Sequence, residues 1–325
     1  MSASAPQAFT RHVQQLWGKR WWVPLLPVLY VLVMTALGFF RWEYVAIALV
    51  CPALAYVTRR SRDFFVDLSP YLLFAIGYDA VKYLIDATIT PSRVLACGLR
   101  DLELALFSVR PGVTPQDYFT ANPSVGLDLL FAVPYAIFWM VSLGYAAFLF
   151  VHDRPRMRYF LWSFAIANFI AFAIWVLVPA APPWYVRNHG CAVDLSVPAH
   201  AAGLLRVDAL LGISYFEGFY ARASQVFGAL PSMHCAFPAL GLLTAWRFTG
   251  WRTRWVHLVY ATVMFGASVY LDHHWIVDGL AGWVVALTSV YLTQRLFAAL
   301  GWRLSERAPP LTAGAESNLA APCDG

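Results

Sequence analysis

The chain has 325 residues, 60% of them hydrophobic and only 13% charged, against roughly 45 to 50% and 25% in an ordinary soluble domain. That composition excludes a soluble globular protein. With 16% aromatic residues, 14 tryptophans and a formal charge of +5, apolar residues gathered into runs of about twenty indicate a polytopic membrane protein. In such a chain the arginines report orientation and give no reason to expect a nucleic-acid partner.

Residues 1–20 hold no apolar core and read as a cytoplasmic or interfacial N-terminal segment. The run that follows, 21–40, is too long for a signal peptide and has no small-residue cleavage site after it. Hydropathy gives eight spans, at 21–40, 43–58, 68–87, 126–150, 158–179, 229–248, 254–271 and 276–298, so the expected fold is an all-α membrane helix bundle filling 21–300. Residues 301–325, small, polar and rich in proline and alanine, read as a disordered cytoplasmic tail.

Alternating these spans from an inside N-terminus puts 15 of the 23 basic residues on one side, among them Arg59, Arg60, Arg62, Arg154, Arg156, Arg158, Arg252 and Arg254. Both termini are therefore expected in the cytoplasm. Two long outer segments, 88–125 and 180–228, carry prolines, acids and aromatics and are where function is expected. Cys97 and Cys191 lie one in each, compatible with an extracytoplasmic disulfide and equally with two free thiols.

Ionisable side chains gather where apolar helices start on that outer side: Pro231, Ser232, Met233, His234, and then Asp272, His273, His274, Trp275, Ile276, Val277, Asp278. His274 and Asp278 are four residues apart, so on a helix they share a face. The carboxylate is then expected to accept the Nδ1 proton and leave Nε2 as a free lone pair, the arrangement of an oriented nucleophile or base. For that pair alone, a helix cap or a packing contact is the competing explanation. His273 points about 100° away and has no carboxylate at the fourth position after it. The topology sets His234 and His274 at similar depth on the same side, so both can face one substrate.

The run Gly228, Ala229, Leu230, Pro231, Ser232, Met233, His234, followed about forty residues later by Tyr270 to Asp278, resembles the second and third signature motifs of the type 2 phosphatidic acid phosphatase superfamily. The likeness is to its inositol phosphorylceramide synthase branch, and residues 179–185, with Pro182, Pro183 and Trp184, resemble the proline-tryptophan stretch of that branch. The resemblance implies a six-helix phosphatase-like catalytic core and transfer of a phosphoryl group on a lipid without metal or cofactor. It implies that His274 attacks phosphorus to form a phosphohistidine, that Asp278 orients it, that His234 acts as acid and then base, and that Ser232 holds a phosphoryl oxygen.

The chain departs from the superfamily phosphatases in lacking a KxxxxxxRP motif and in having Ser268 where they carry an arginine six residues before the nucleophile. The candidates left to meet phosphate charge are Arg222, Arg187 and Lys82, each equally readable as an interfacial arginine or a snorkelling lysine. Asp79 and Lys82 read as an ion pair within a helix. Asp101 and Glu103 read as helix caps, and His189, Asp194, His200 and Asp208 as loop residues without ligand spacing.

The function expected from this resemblance is an integral-membrane phosphotransferase that takes a phospholipid donor, plausibly phosphatidylinositol, and a lipid acceptor such as ceramide, with its site on the periplasmic or lumenal face. The alternative is a lipid phosphate phosphatase using the same His/His/Asp site with water as acceptor. A non-enzymatic lipid transporter fits less well, because the ionisable groups cluster at one face and do not line a path.

Overall fold

A computed structural model of the chain describes residues 5–36, 38, 42–221 and 226–305. Arg222 falls outside the described residues, as do residues 306–325 of the expected tail. The side chain of Asp79, and with it the expected Asp79–Lys82 pair, also lies outside them. Among the described residues there are fourteen α-helices and no strand. They are α1 (Ala5–Trp17), α2 (Leu26–Ala36), α3 (Trp42–Tyr56), α4 (Arg59–Thr88), α5 (Cys97–Phe107), α6 (Pro115–Ala121), α7 (Val125–His152), α8 (Arg154–Leu177), α9 (Pro183–His189), α10 (Leu205–Leu211), α11 (Tyr215–Tyr220), α12 (Met233–Trp246), α13 (Trp251–Tyr270) and α14 (Ile276–Leu300).

The chain forms two compact units, Met1–Leu72 and Leu73–Gly325, with the division falling inside α4. In the first, the Trp17 indole donates to the Ala55 carbonyl at 2.8 Å and Arg62 to the Leu16 carbonyl at 2.7 Å, around a small core of Cys51, Ala55 and Phe65. The second unit holds every histidine singled out above.

Four helices, α4, α7, α8 and α14, are long and apolar enough to cross a membrane. The other expected spans correspond to the shorter apolar segment Val23–Ala36, to α3, to α12 and to α13, which opens with Arg252 and Arg254. At about 1.5 Å per residue, the 14 residues of α12 reach well short of a hydrocarbon core about 30 Å thick. The reason lies in its packing: α12 is enclosed by α7, α8, α13 and α14 and ten of its residues are buried, so lipid sets no length for it. By contrast, Leu129, Val133, Met140 and Val151 of α7 and Val284, Leu287 and Tyr291 of α14 are exposed. Water does not tolerate apolar surface on this scale, but lipid does. The protein is an integral membrane protein.

Local sequence explains where the helices begin and end. Ser232 caps α12 by accepting the Cys235 amide, and Asp153 caps α8 by accepting the Arg156 amide. Thr114 and Asp117 form a reciprocal capping box on α6, with Pro115 in its first turn. Gly301, at φ +65°, closes α14 in the left-handed conformation that glycine adopts without cost. Beyond it Ser305 is buried and its hydroxyl donates to Asp153, so the described start of the expected tail packs onto the α7–α8 corner. Cys97 and Cys191 are joined in a disulfide that ties the start of α5 to the residues just after α9.

Candidate active site

The connection between α13 and α14, residues 271–275, is held by hydrogen bonds on every side. The Ser268 carbonyl accepts the amides of both His273 (3.2 Å) and His274 (3.0 Å), and the Leu271 carbonyl accepts Gly203 N at 3.0 Å. Asp272 adopts φ +68°, a conformation aspartate tolerates better than most residues with a side chain. At the start of α14, Asp278 Oδ2 accepts Trp275 N at 2.9 Å, while Glu103 on α5 accepts the amides of Ile276 (2.9 Å) and Val277 (3.3 Å). Two carboxylates thus serve the free amides and positive dipole of one helix end. Asp208, expected as a solvated loop residue, does the same for α11: it is buried and accepts the amides of Phe216 and Glu217.

The two histidines meet in this setting. Nε2 of His274 lies 3.2 Å from Nδ1 of His234, and Nδ1 of His274 lies 2.9 Å from the Ala229 carbonyl oxygen. A carbonyl only accepts, so Nδ1 of His274 carries a proton, and in the neutral ring Nε2 is then the lone pair that faces His234 Nδ1. Asp278 Oδ2 stands 3.7 Å from His274 Nδ1. The aspartate was expected to accept the Nδ1 proton, but the nearer acceptor is a backbone carbonyl, and the fully buried Asp278 carboxyl stands behind it.

That carbonyl is positioned by short backbone bridges. Ala229 N donates to Ala180 O at 3.2 Å, Ala180 N to Phe227 O at 2.8 Å, and Ala181 N to Leu95 O at 2.8 Å. The 179–185 stretch thus supports the histidine pair from below, and Trp275 Nε1 closes the same region by donating to Ala181 O at 3.0 Å. Ser232, expected to hold a phosphoryl oxygen, is fully buried; its amide donates to the Asp278 carbonyl at 2.9 Å, and its hydroxyl serves as the α12 cap. Any side chain at Gly282 would collide with the Ser232 carbonyl, which is how closely α14 passes α12.

Aromatic rings cover the pair. Tyr135, beside Pro134 in α7, stacks on His234 with centroids 4.1 Å apart, and its hydroxyl lies 3.3 Å from His234 Nδ1. Phe138 is 4.3 Å from the same imidazole. Tyr135 stacks also on His273 at 5.2 Å, and Tyr220 stacks on His273 at 4.8 Å.

The charges around the loop form a chain. Arg187 on α9 is ion-paired with Asp272 and stands 3.7 Å from Asp117, which in turn pairs with Arg100 at 2.7 Å. Burial opposes ionisation of Asp117, but the Arg100 guanidinium and the Thr114 amide and hydroxyl outweigh it and hold the carboxyl below its usual range. For Glu103 burial wins, and its carboxyl is raised despite the bonds from Gln116, Ile276 and Val277. Burial likewise lowers Arg187 below the usual guanidinium range. Of the three cations expected near phosphate, Arg187 reaches the 271–275 connection, Lys82 on α4 is half-buried, and Arg222 is outside the described residues. Among the described residues no three His, Cys, Asp or Glu side chains form a metal-holding group.

An open groove of about 290 Å³ with an apolar lining runs beside the loop, bounded by Phe119, Phe131, Phe265, Val269, Tyr270 and Ile276 among others. Tyr270 and Ile276 are the residues on either side of the 271–275 connection.

The family model of the PAP2 superfamily matches residues 101–292, which include both histidines, Asp278, Glu103 and Tyr135. The chain belongs to the PAP2 superfamily. It is 32% identical over 273 residues to the phosphoinositol dihydroceramide synthase of Bacteroides thetaiotaomicron, covering 82% of this chain and 88% of that one. It is 33% identical over 174 residues to the inositol phosphorylceramide synthase of Candida albicans (52% of this chain, 36% of that one). Against the inositol phosphorylceramide synthase catalytic subunit of Saccharomyces cerevisiae, identity is 27% over 235 residues (71% and 57%). The chain thus spans most of the bacterial relative but little more than half, or less, of the fungal ones. No solved structure matches it.

As a PAP2 member the chain differs from the phosphatase pattern at Ser268, and the structure shows what serine does there. It is fully buried, its hydroxyl donates to Phe265 O at 2.8 Å and contacts Cys235 Sγ at 3.3 Å. No spacing in the sequence singles out Tyr135, the Ala229 carbonyl or the long-range cap by Glu103. Tyr135 carries no local signal beyond its neighbouring proline, and a carbonyl is invisible to residue type. Glu103 was readable as a cap, but not as the cap of a helix so distant in sequence.

Proposed function

We propose that this membrane phosphotransferase moves a phosphoinositol head group from phosphatidylinositol to the hydroxyl of a ceramide-type lipid, through a phosphohistidine on His274. The observation that carries the reading is the 3.2 Å contact between His274 Nε2 and His234 Nδ1: a nucleophile and a proton carrier face each other, and the two rings part to admit a phosphorus between them.

In the first step Nε2 of His274 attacks phosphorus and the bond to the diacylglycerol oxygen breaks. His234, protonated once the anionic phosphodiester is beside it, gives that oxygen its proton. The positive charge on the phosphorylated imidazole is met by Asp278 and the Ala229 carbonyl. In the second step neutral His234 takes the proton of the acceptor hydroxyl, the new P–O bond forms, and the N–P bond breaks to restore both rings. Arg187, exchanging Asp272 for a phosphoryl oxygen, and the α12 N-terminus capped by Ser232 supply positive charge. Arg222 and Lys82 stay secondary candidates for that role. The names of the bacterial and fungal relatives support inositol phosphate as the group moved and a ceramide as acceptor.

The apolar groove beside Tyr270 and Ile276 suits an acyl chain of the lipid acceptor. The Cys97–Cys191 bridge fits an oxidising compartment, which supports a periplasmic or lumenal site with the arginine-rich helix ends and both termini in the cytoplasm.

The test is purified protein in detergent with labelled phosphatidylinositol and a short-chain ceramide, in chelator. Labelled inositol phosphorylceramide is expected from the native chain and none from His274→Ala. Turnover retained by His274→Ala removes the mechanism. Release of inorganic phosphate from phosphatidic acid with no head-group transfer favours the phosphatase alternative.

A further inference from the structure

His273 takes part in neither step above, yet it is only 6% exposed and sits in the catalytic loop. Its Nε2 has no hydrogen-bond partner among the described residues. The ring does bond the Ala201 carbonyl; with Nε2 unpartnered, Nδ1 makes that contact, and because a carbonyl only accepts, Nδ1 holds the proton. Nε2 is therefore a buried lone pair lacking a donor, which folded proteins rarely leave without a reason. Burial, with the neighbouring His274 adding to it, pushes the ring's pKa down to about 3, so it stays neutral at working pH. The two tyrosines stacked on it hold its orientation, and one of them, Tyr135, also stacks on His234.

The chemistry of the missing partner follows. A phosphoryl oxygen has no proton to give, so it does not satisfy Nε2, whereas a hydroxyl does. We propose that His273 is a substrate-binding residue whose Nε2 accepts a hydrogen bond from a substrate hydroxyl. This rests on the phosphotransfer reading, in which both substrates bring hydroxyls to the site: the polyol head group of the donor and the alcohol of the acceptor.

The experiment compares full-length protein in detergent with His273→Phe, which keeps a stacking ring but no acceptor, and His273→Gln, which returns an acceptor near the Nε2 position. Binding is read without turnover, as the shift in melting temperature with phosphatidylinositol micelles and, separately, with short-chain ceramide. His273→Phe is expected to weaken one of the two by roughly tenfold, the effect of one lost hydrogen bond, with partial recovery in His273→Gln. Weakening with phosphatidylinositol assigns the head group, and weakening with ceramide assigns the acceptor. Equal binding of both lipids by native and His273→Phe protein overturns the proposal, as does native protein that binds neither. Should His273→Phe not fold, His273→Asn replaces it, its acceptor reaching only the Nδ1 position. Binding weaker in Asn than in Gln supports the contact, and equal binding overturns it. Native protein that binds lipid but forms no transferred product overturns the phosphotransfer reading alone, since the shifts still decide the contact.

Discussion

Glu103 accepts the backbone amides of Ile276 and Val277, 173 and 174 residues further along the chain, at 2.9 and 3.3 Å. The same carboxylate accepts Gln116 Nε2 at 2.8 Å, and Gln116 donates also to the His274 carbonyl at 3.1 Å. One buried acid on α5 thereby joins the cap of α14 to the backbone of the proposed nucleophile. Glu103→Ala leaves two helix amides and the Gln116 amide group without their partner, a loss of about 1 to 3 kcal/mol in stability. Transfer should fall with it, because the His274 backbone loses its tether. Glu103→Gln keeps an acceptor oxygen and should retain most of the melting temperature. An Ala variant as stable and active as native protein would show that α14 needs no such cap.

The Cys97–Cys191 disulfide stands between two elements that act on the loop, since α5 carries Glu103 and α9 carries Arg187. Reduction, or the double change Cys97→Ser with Cys191→Ser, should cost about 2 to 4 kcal/mol. It should also slow transfer, as the Arg187–Asp272 pair and the α14 cap lose their common anchor. Melting curves and rates with and without reductant check this, and the double variant should no longer respond to reductant. A native protein indifferent to reductant contradicts it.

The parts of the site that were legible in the sequence are those coded by short-range spacing. The four-residue spacing does bring His274 within 3.7 Å of Asp278, although His274 lies just before α14 and not on it, and the arrangement of apolar runs set His234 on the same side. What spacing did not reveal is which acceptor His274 uses. The Ala229 carbonyl reaches Nδ1 only because backbone bridges from residues 95, 180 and 227 fix the chain there, and no residue type announces that. Hydropathy likewise found α12 but overstated its length: an apolar run measures burial, and the α12 side chains are buried by protein and not by lipid. Arg187 was named for phosphate charge, while its pairing with Asp272 and proximity to Asp117 depended on the folding of two separate loops.

The groove beside the loop makes a prediction about chain length. Val269 lines it on α13, one residue before Tyr270, so Val269→Trp fills much of its volume of about 290 Å³. Transfer to a long-chain acceptor should drop about tenfold or more through a raised KM, while a short-chain acceptor is spared. Equal loss for both chain lengths would mean that the substitution disturbs the loop and that the groove does not hold an acyl chain.

His273 also gives a pH dependence whose sign is fixed by its environment. With the folded pKa near 3 and an unfolded value near 6.5, the ring is neutral in both states above about pH 6.5 and contributes no pH dependence to stability there. As pH falls below that value the unfolded chain binds a proton that the folded chain refuses, so stability is lost progressively between about 6.5 and 3, at up to about 1.4 kcal/mol per pH unit. Phenylalanine keeps the stack with Tyr135 and Tyr220 but has nothing to protonate. Melting temperatures measured from pH 7.5 to 5 should therefore fall less steeply for His273→Phe than for native protein, the other histidines contributing equally to both. Parallel curves would mean that the folded and unfolded chains take up this proton at the same pH, and burial then does not hold the His273 ring neutral.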